Sequence, residues 1–198
     1  MIIREISTIA QNRIPTCLRA FCDKTGLDAW ELLEEAAFYF FRQVLMLETR
    51  RLGANVLFTH EPEGLVFSTH TNPKFALMYE CKARTEPYRM SSDDVLRYRD
   101  YIRNAHLETQ VRDHLDLTHF VIVAPRFAGD IEERLHMLEN EGIVVSLLPA
   151  ALLASAYSCV KDMEYADIRL LKINQLFARG VLAADHVAGC LGAAPTPQ

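Results

Sequence analysis

Two short, almost continuous apolar runs constrain the fold more than any other feature of the sequence. They cover His119–Pro125 (HFVIVAP) and Gly142–Pro149 (GIVVSLLP), and the stretch Asp130–Asn140 between them has helical apolar spacing. An apolar run of this length without alternation is typical of a strand that is buried on both faces. A helix between two such strands forms a crossover, which places the strands parallel in one sheet. The sequence therefore predicts an α/β fold with helices on both faces of the sheet.

The remaining predicted elements extend this unit at both ends. Asp28, with Glu31 three residues later, shows the capping-box pattern of a helix start. Strands without an intervening helix are expected to pair antiparallel, so the sheet should be mixed. We assign 1–160 to the core with N-terminal helices, and 161–198 to a helical appendage with a short flexible tail. The further elements are helices at about 3–22 and 28–52, strands at 55–60, 64–70 and 75–83, a helix at 93–107, and helices at about 150–157, 167–179 and from Ala183.

Length and composition indicate one domain with a substantial apolar core. The chain has 198 residues, of which 50% are hydrophobic and 24% charged, a balance that argues against a disordered chain. No apolar run approaches the roughly 20 residues of a membrane span, so no membrane partner is expected. The five cysteines are odd in number and contain no CxxC pair. This argues against a disulfide framework or a zinc ribbon and favours a reducing cytoplasm.

The charge distribution leaves room for a nucleic acid partner. The formal net charge is −5, so the chain as a whole does not have the basic character of many nucleic-acid-binding proteins. Between Lys82 and Arg112, however, seven cations outnumber five acids. Three arginines of this segment, Arg84, Arg97 and Arg103, are candidates for contacts with phosphate. The same arginines are also typical of the solvated face of a helix.

Three charged residues around the third predicted strand carry the candidate chemistry. Glu80-Cys81-Lys82 ends that strand, and Glu63, after Pro62, opens the preceding one. Because side chains alternate along a strand, Glu80 and Lys82 share one face while Cys81 lies on the other. A hairpin-like return of the chain would bring the Glu63 carboxylate beside that of Glu80.

Two neighbouring carboxylates favour a hard divalent cation. Their mutual repulsion raises their pKa values, and Mg²⁺, which binds one or two carboxylates plus water and substrate phosphate, relieves it. Such a site hydrolyses a phosphodiester, because the metal lowers the pKa of a bound water and neutralises charge in the transition state. Lys82 would hold the attacking water, and the backbone carbonyl of Cys81 would be an extra ligand. The plain alternative is a surface ion pair at a strand end, which contributes little.

In this setting the pattern P-(D/E)…(D/E)-x-K resembles the PD-(D/E)xK nuclease superfamily, and more narrowly the FokI-type cleavage domain of type IIS restriction endonucleases. The resemblance extends from about Glu34 to about Leu153. It implies a restriction-endonuclease-like three-layer sandwich with a mixed central β-sheet flanked by helices. The residues that carry it are Glu34 with Phe40-Phe41, Pro62-Glu63-Gly64, Glu80-Cys81-Lys82-Ala83, Tyr88, Asp93-Asp94 with Arg97-Tyr98, Phe120–Val123 with Phe127 and Gly129, and Gly142–Leu147.

The resemblance also implies roles for individual residues. Glu63 and Glu80 would be ligands of Mg²⁺, for which Mn²⁺ could substitute, and Lys82 would be the catalytic lysine. In related nucleases a helix glutamate sometimes completes the metal site, and Glu34 or Glu35 is placed for that. Acids near a helix start are equally explained by the helix dipole. The first acid of the family's motif is usually Asp, and Glu63 keeps its charge with a longer reach.

These inferences predict a Mg²⁺-dependent DNA endonuclease, either a restriction endonuclease or its cleavage subunit. One catalytic set cuts one strand, so cleavage of both strands requires a homodimer or a partner subunit. The alternatives are a weakly active or non-catalytic subunit that binds DNA or protein in a restriction or defence complex, and a repair or RNA-directed nuclease. The interface is expected within Ala150–Leu191, where four apolar residues look exposed: Leu170, Leu171, Leu176 and Phe177.

Overall fold

A computed structural model of the protein describes residues 26, 28–52, 61–70, 73–164, 168 and 173–192. Its strands are β1 (Glu48–Arg51), β2 (Gly64–Ser68), β3 (Phe75–Cys81), β4 (Leu117–Ala124), β5 (Val144–Pro149) and β6 (Gly180–Val181). Its helices are α1 (Ala29–Tyr39), α2 (Ser92–Glu108), α3 (Glu132–Glu139), α4 (Ala151–Val160), α5 (Ile173–Leu176) and α6 (Ala184–Cys190). The first two helices each continue into one π-helical turn, at Phe40–Val44 and Thr109–Asp113.

The six strands form one mixed sheet in their chain order. The β1–β2 and β2–β3 pairs are antiparallel, whereas β3, β4, β5 and β6 are parallel to one another. The crossover unit β4–α3–β5 is the one predicted from the two apolar runs, and most residues of both strands are buried. Strands β1, β3, β4 and β5 all end at the same side of the sheet, which we call the C-terminal edge. Strand β2 begins there.

Side chains from the two sheet faces form two separate apolar layers. On one face Val66, Tyr79 and Val121 belong to a core that includes residues of α1, α4 and α6. On the other face Met78 and Phe120 pack in a core with α2 and α3. The molecule is therefore a three-layer sandwich with a mixed central sheet, and the predicted fold class is confirmed. Within the described ranges, the structure has no helix that is long and apolar enough to span a membrane.

Both long helices begin with a capping box, which the sequence predicts for α1. The backbone N–H of Asp28 donates to Oε2 of Glu31 at 2.7 Å. At the start of α2 the N–H of Ser91 donates to Oδ2 of Asp94, and the Ser91 hydroxyl accepts from the Asp94 N–H, both at 3.0 Å. These bonds satisfy backbone donors that a helix start otherwise leaves unpaired.

The predicted helix over 28–52 is wrong at its C-terminal end. The π-helical turn ends at Val44, Met46 adopts a left-handed conformation with φ 52°, and β1 begins two residues later. The segment ETRR of β1 has no alternating apolar residues, so its pairing with β2 rather than its own pattern creates the strand. The predicted helices at 3–22 and the predicted strand at 55–60 lie outside the described residues.

Two residues of the expected subunit interface are buried in the protein's own core. Leu176 and Phe177 expose only 1% and 2% of their surface, so the prediction that they form an interface is wrong. The helix predicted over 167–179 is described only in part, as α5. The strand β6, which the sequence analysis did not predict, follows it and completes the sheet. Leu170 and Leu171 lie outside the described residues.

Gly64 is required where β2 passes closest to its neighbours. An added Cβ would lie 2.6 Å from both the carbonyl oxygen of Arg50 and Cε1 of Tyr79. Because one of these neighbours is backbone, a rotamer change cannot relieve the clash. We expect Gly64→Ala to lower the free energy of unfolding by about 2–3 kcal/mol, in the range of overpacked cores. Gly129→Ala is the matched control, since its Cβ would meet nothing within 4 Å. Equal melting temperatures of the two variants would contradict this account.

Candidate active site

The C-terminal edge brings the carboxylates of Glu63 and Glu80 together. The register of β2 and β3 pairs Gly64 with Tyr79, which places Glu63, one residue earlier, opposite Glu80. Directly opposed residues of antiparallel strands have their side chains on the same face. Burial, and next the negative charge of Glu80, raise the pKa of Glu63. The two carboxylates therefore interact directly. This is the arrangement that the predicted hairpin-like return of the chain from Glu63 to Glu80 would produce.

Glu80 and Lys82 form an ion pair on one face at the end of β3. Nζ of Lys82 donates to Oε1 of Glu80, which exposes only 4% of its surface. The ammonium offsets the large cost of burying this carboxylate. Cys81 points to the other face, where its Sγ lies 4.0 Å from the carbonyl oxygen of Leu33. Burial raises the pKa of the Cys81 thiol well above its ordinary value, so Cys81 is not an activated nucleophile.

Helix α1 contributes one of its two adjacent glutamates to this cluster. Burial, the charge of Glu63 and a hydrogen bond to Glu63 raise the pKa of Glu34 to about 8, and Glu80 adds to the effect. At neutral pH Glu34 therefore carries a proton in the metal-free protein. Glu35 instead pairs with Arg51 at 2.5 Å, and this bond lowers the pKa of Glu35. The sequence left the choice between the two open, and the structure places Glu34 at the site.

The donor groups of the site suit a hard cation that keeps part of its water shell. Among the residues that the structure describes, no three His, Cys, Asp or Glu side chains are grouped as a ready metal site. Mg²⁺ needs only one or two carboxylates, with water and substrate phosphate as further ligands. The raised pKa values of Glu34 and Glu63 reflect burial first and neighbouring negative charge second, and a divalent cation relieves the second of these. The carboxylates thus fit Mg²⁺, and the Cys81 carbonyl stays a predicted ligand.

Two hydrogen-bonded tyrosines lie next to the cations of the site. The hydroxyl oxygens of Tyr88 and Tyr98 are 2.9 Å apart. Nζ of Lys82 and Cζ of Arg97 lie 5.7 and 5.4 Å from the centroid of the Tyr98 ring. Cζ of Arg84 lies 6.0 Å from the centroid of the Tyr88 ring. These cation–π contacts group three positive charges around the tyrosine pair.

The three arginines that the sequence suggests as DNA contacts differ in their placement. Arg97 donates to Asp94 at 2.5 Å and lies within electrostatic range of Glu80. Arg103 is instead paired with Glu141, with 3.0 Å between Nη2 and Oε1. The tyrosine pair groups Arg84 and Arg97 with the catalytic lysine candidate and leaves Arg103 apart. A contact with DNA stays a prediction for all three.

A comparison with protein families agrees with this geometry. The family model described as "FokI, cleavage domain" matches residues 20–179, which is most of the chain. The chain belongs to the FokI cleavage-domain family. The match includes Glu34, Glu63, Glu80 and Lys82. The resemblance that the motif indicated is confirmed, and the chain is a restriction-endonuclease-like nuclease domain.

Solved structures of restriction endonuclease FokI share the fold of this FokI-type domain. One matches with a TM-score of 0.59 and 15% sequence identity over 77% of this chain and 28% of that chain. A second, of FokI bound to DNA, matches with a TM-score of 0.56 and 14% identity over 77% of this chain and 30% of that chain. This chain therefore corresponds to less than a third of the FokI chains that it matches. No curated protein matches it.

Arg51 is a residue of the FokI-type site that the sequence analysis missed. Its guanidinium pairs with Glu35, and its Cζ lies 4.0 Å from the centroid of the Phe38 ring. It also lies within electrostatic range of Glu34 and Glu63. Arg51 belongs to β1, which the sequence pattern assigned to a helix, so no signal in the sequence could place it opposite α1. Its pairing with Glu35 leaves Glu34 as the glutamate that faces the carboxylates of Glu63 and Glu80.

The raised pKa of Glu34 predicts a pH-dependent loss of stability in the metal-free protein. Between pH 4.5 and about 8 the unfolded chain has lost the Glu34 proton while the folded protein keeps it, so stability falls as pH rises through this window. We expect Glu34→Gln to remove this loss. In EDTA at about pH 8.5 the variant should be more stable by about 1 kcal/mol, or about 2–4 °C in Tm, after discounting for solvent screening. At about pH 5 the difference should shrink.

Glu35→Gln is the matched control for this experiment. Its ion pair with Arg51 lowers the pKa of Glu35, so Glu35 contributes stability above its ordinary pKa, and this contribution falls as the pH drops below it. The control should therefore have a lower Tm than the wild type at about pH 8.5, the opposite sign from Glu34→Gln. The same sign for both variants would contradict the placement of the two glutamates.

Proposed function

We propose that this FokI-type domain is a Mg²⁺-dependent endonuclease that hydrolyses phosphodiester bonds in DNA. The observation that carries the proposal is the convergence of Glu63, Glu80 and Lys82 at one edge of the sheet in a chain of this family. Two carboxylates and an ammonium on one face are the groups that metal-assisted phosphodiester hydrolysis needs. A purely structural subunit has no need for a buried carboxylate that depends on a lysine for compensation.

Each residue of the site has its own role in the proposed reaction. Glu63, Glu80 and the Cys81 carbonyl would hold Mg²⁺ or Mn²⁺, with Glu34 as a further carboxylate. The cation supplies Lewis acidity, which lowers the pKa of water and neutralises phosphate charge. Lys82 holds the attacking water and stabilises the negative charge that develops on the phosphate oxygens. Its ammonium is oriented for this by Glu80, to which it donates.

DNA is the proposed substrate, and the support for it comes from two sources. Restriction endonuclease FokI, whose fold the chain shares, has been solved bound to DNA. Arg84 and Arg97 extend the positive charge of Lys82 along the tyrosine pair. We assign phosphate contacts to these two arginines. A non-catalytic binding role is an outcome that the experiments below would reveal, as DNA binding without nicking.

Loss of the Lys82 ammonium should stop the chemical step. Lys82→Met removes the charge but keeps an apolar side chain beside Tyr98. We expect the rate of plasmid nicking in Mg²⁺ to fall by at least about 100-fold, because the charge that Lys82 stabilises exists only in the transition state. Lys74→Met is the matched control, since Lys74 is exposed and precedes β3 at the opposite edge of the sheet. Nicking by Lys82→Met at the wild-type rate would place the chemistry elsewhere.

Two substitutions of Glu63 separate its charge from its length. Glu63→Asp restores the residue that is usual in the family, and it should keep measurable Mg²⁺-dependent nicking. Glu63→Gln removes the charge and should lose nicking, since a neutral amide is a poor ligand for Mg²⁺. Nicking is measured over a range of Mg²⁺ concentrations, and the Tm of each variant controls for folding. Full activity of Glu63→Gln would remove Glu63 from the metal site.

We further propose that the domain cuts both strands as a homodimer or together with a partner subunit. Because Leu176 and Phe177 are buried, we place the interface instead on α2, where Leu96 and Leu107 expose 60% and 64% of their surface. They are eleven residues apart, which is three helical turns, so they lie on one face. Replacing both leucines with glutamate should preserve nicking but slow double-strand cleavage, with a parallel loss of dimer in sedimentation. A wild-type monomer whose double-strand cleavage is first order in protein would contradict the proposal.

A further inference from the structure

The direction of helix α1 places its first turn at the C-terminal edge of the sheet. Strand β1 ends at that edge, where Arg51 pairs with Gly64, and begins at the opposite edge, where Glu48 pairs with Phe67. The π-helical turn that continues α1 ends at Val44, and after three intervening residues the chain enters β1. The C-terminal end of α1 therefore lies near the opposite edge, and the helix runs antiparallel to β1. Its N-terminal turn points toward the side on which the catalytic residues open.

Trp30 occupies this first turn, one turn ahead of Glu34. Residues four apart lie on the same face of a helix, and the rise of four residues is about 6 Å. Because side chains on a helix tilt toward its N-terminus, the indole extends still farther beyond Glu34. Glu34 itself faces Glu63 and Glu80 at the edge of the sheet. Trp30 therefore projects past the catalytic carboxylates in the direction from which a substrate must approach.

Trp30 combines a large exposed surface with a hydrogen bond that orients its indole. It is the single tryptophan of the sequence, and 52% of its surface is exposed. Its Nε1–H donates to Oδ2 of Asp28, the N-cap of α1, at 3.3 Å. The capping box with Glu31 fixes Asp28 in turn. The indole is thus an apolar plane that is held in place and is therefore preorganised for a contact.

We infer that Trp30 contacts the DNA substrate beside the scissile phosphate, by packing its indole against a base or a sugar of the bound strand. The inference rests on the proposed function. DNA fits this position better than an apolar protein surface, because the nearest established features are the charged groups of a phosphodiester-cleaving site. Aromatic side chains stack on the free bases of single strands with little sequence preference, and along a duplex the same apolar plane packs against the deoxyribose of the backbone. Trp30 would thereby position the strand over Glu63, Glu80 and Lys82 without reading its sequence.

The single tryptophan makes the inference directly measurable. The probe is a short DNA duplex, added to the full 198-residue chain with Lys82→Met to prevent cleavage. We expect the fluorescence of Trp30 to be quenched as the duplex binds, with the same midpoint as the anisotropy of a labelled duplex. Trp30→Ala should weaken duplex binding by about tenfold, and Trp30→Phe, which keeps an aromatic ring, should recover most of this loss.

Tyr39→Ala is the matched control on the same helix. Tyr39 exposes 38% of its surface and lies nine residues from Trp30, which places it on the opposite face of α1. It should bind the duplex and nick plasmid as the wild type does. Unchanged Tm and circular dichroism in Trp30→Ala would show that its defect is not one of folding.

The outcomes separate this inference from the proposed function. The inference would be overturned if the duplex binds by anisotropy while Trp30 fluorescence stays constant. It would also be overturned if Trp30→Ala binds the duplex and nicks plasmid as the wild type does. Either result would leave the proposed nuclease function unaffected. A wild-type chain that neither binds the duplex nor nicks plasmid would overturn the proposed function itself. Quenching of Trp30 with weaker binding in Trp30→Ala, recovered in Trp30→Phe, would establish the contact.

Discussion

The antiparallel register of β2 and β3 is the constraint on which the rest of the site depends. It pairs Gly64 with Tyr79, and so it places Glu63 opposite Glu80. A slip of one residue would turn the Glu63 side chain to the other face of the sheet and separate the two carboxylates. The register is fixed by burial on both faces, since every residue of β2 and β3 is buried. Packing of the core thus sets the distance between the Glu63 and Glu80 carboxylates.

The electrostatics of the site follow from this forced proximity. The Glu34 and Glu63 carboxylates interact with each other and with the charge of Glu80, which is buried and pairs with the Lys82 ammonium. In the metal-free protein Glu34 keeps a proton and Glu80 pairs with Lys82, and both reduce the excess of negative charge. A divalent cation at the proposed site would displace the proton of Glu34 and would share Glu80 with Lys82. The metal-free site is therefore strained electrostatically, and this strain supports the proposal of a cation site.

Sequence patterns predict those parts of the molecule that local periodicity determines. The buried strands β4 and β5, the alternation that separates Cys81 from Glu80, and the capping box at Asp28 all belong to this class. Periodicity does not predict an element whose structure depends on residues that are distant in the sequence. The charged strand β1 exists through its pairing with β2, and the burial of Phe177 shows that an apolar helix face does not reveal what covers it.

The central claim, that the three carboxylates form a cation site, is tested most directly by proton release. Saturating Mg²⁺ is added to the DNA-free protein near pH 7 in weak buffer, and the protons released are counted with a pH indicator. Since the pKa of Glu34 is raised to about 8, the account predicts release of about one proton per chain from the wild type and almost none from Glu34→Gln. Equal release from both proteins, or none from the wild type, would contradict it.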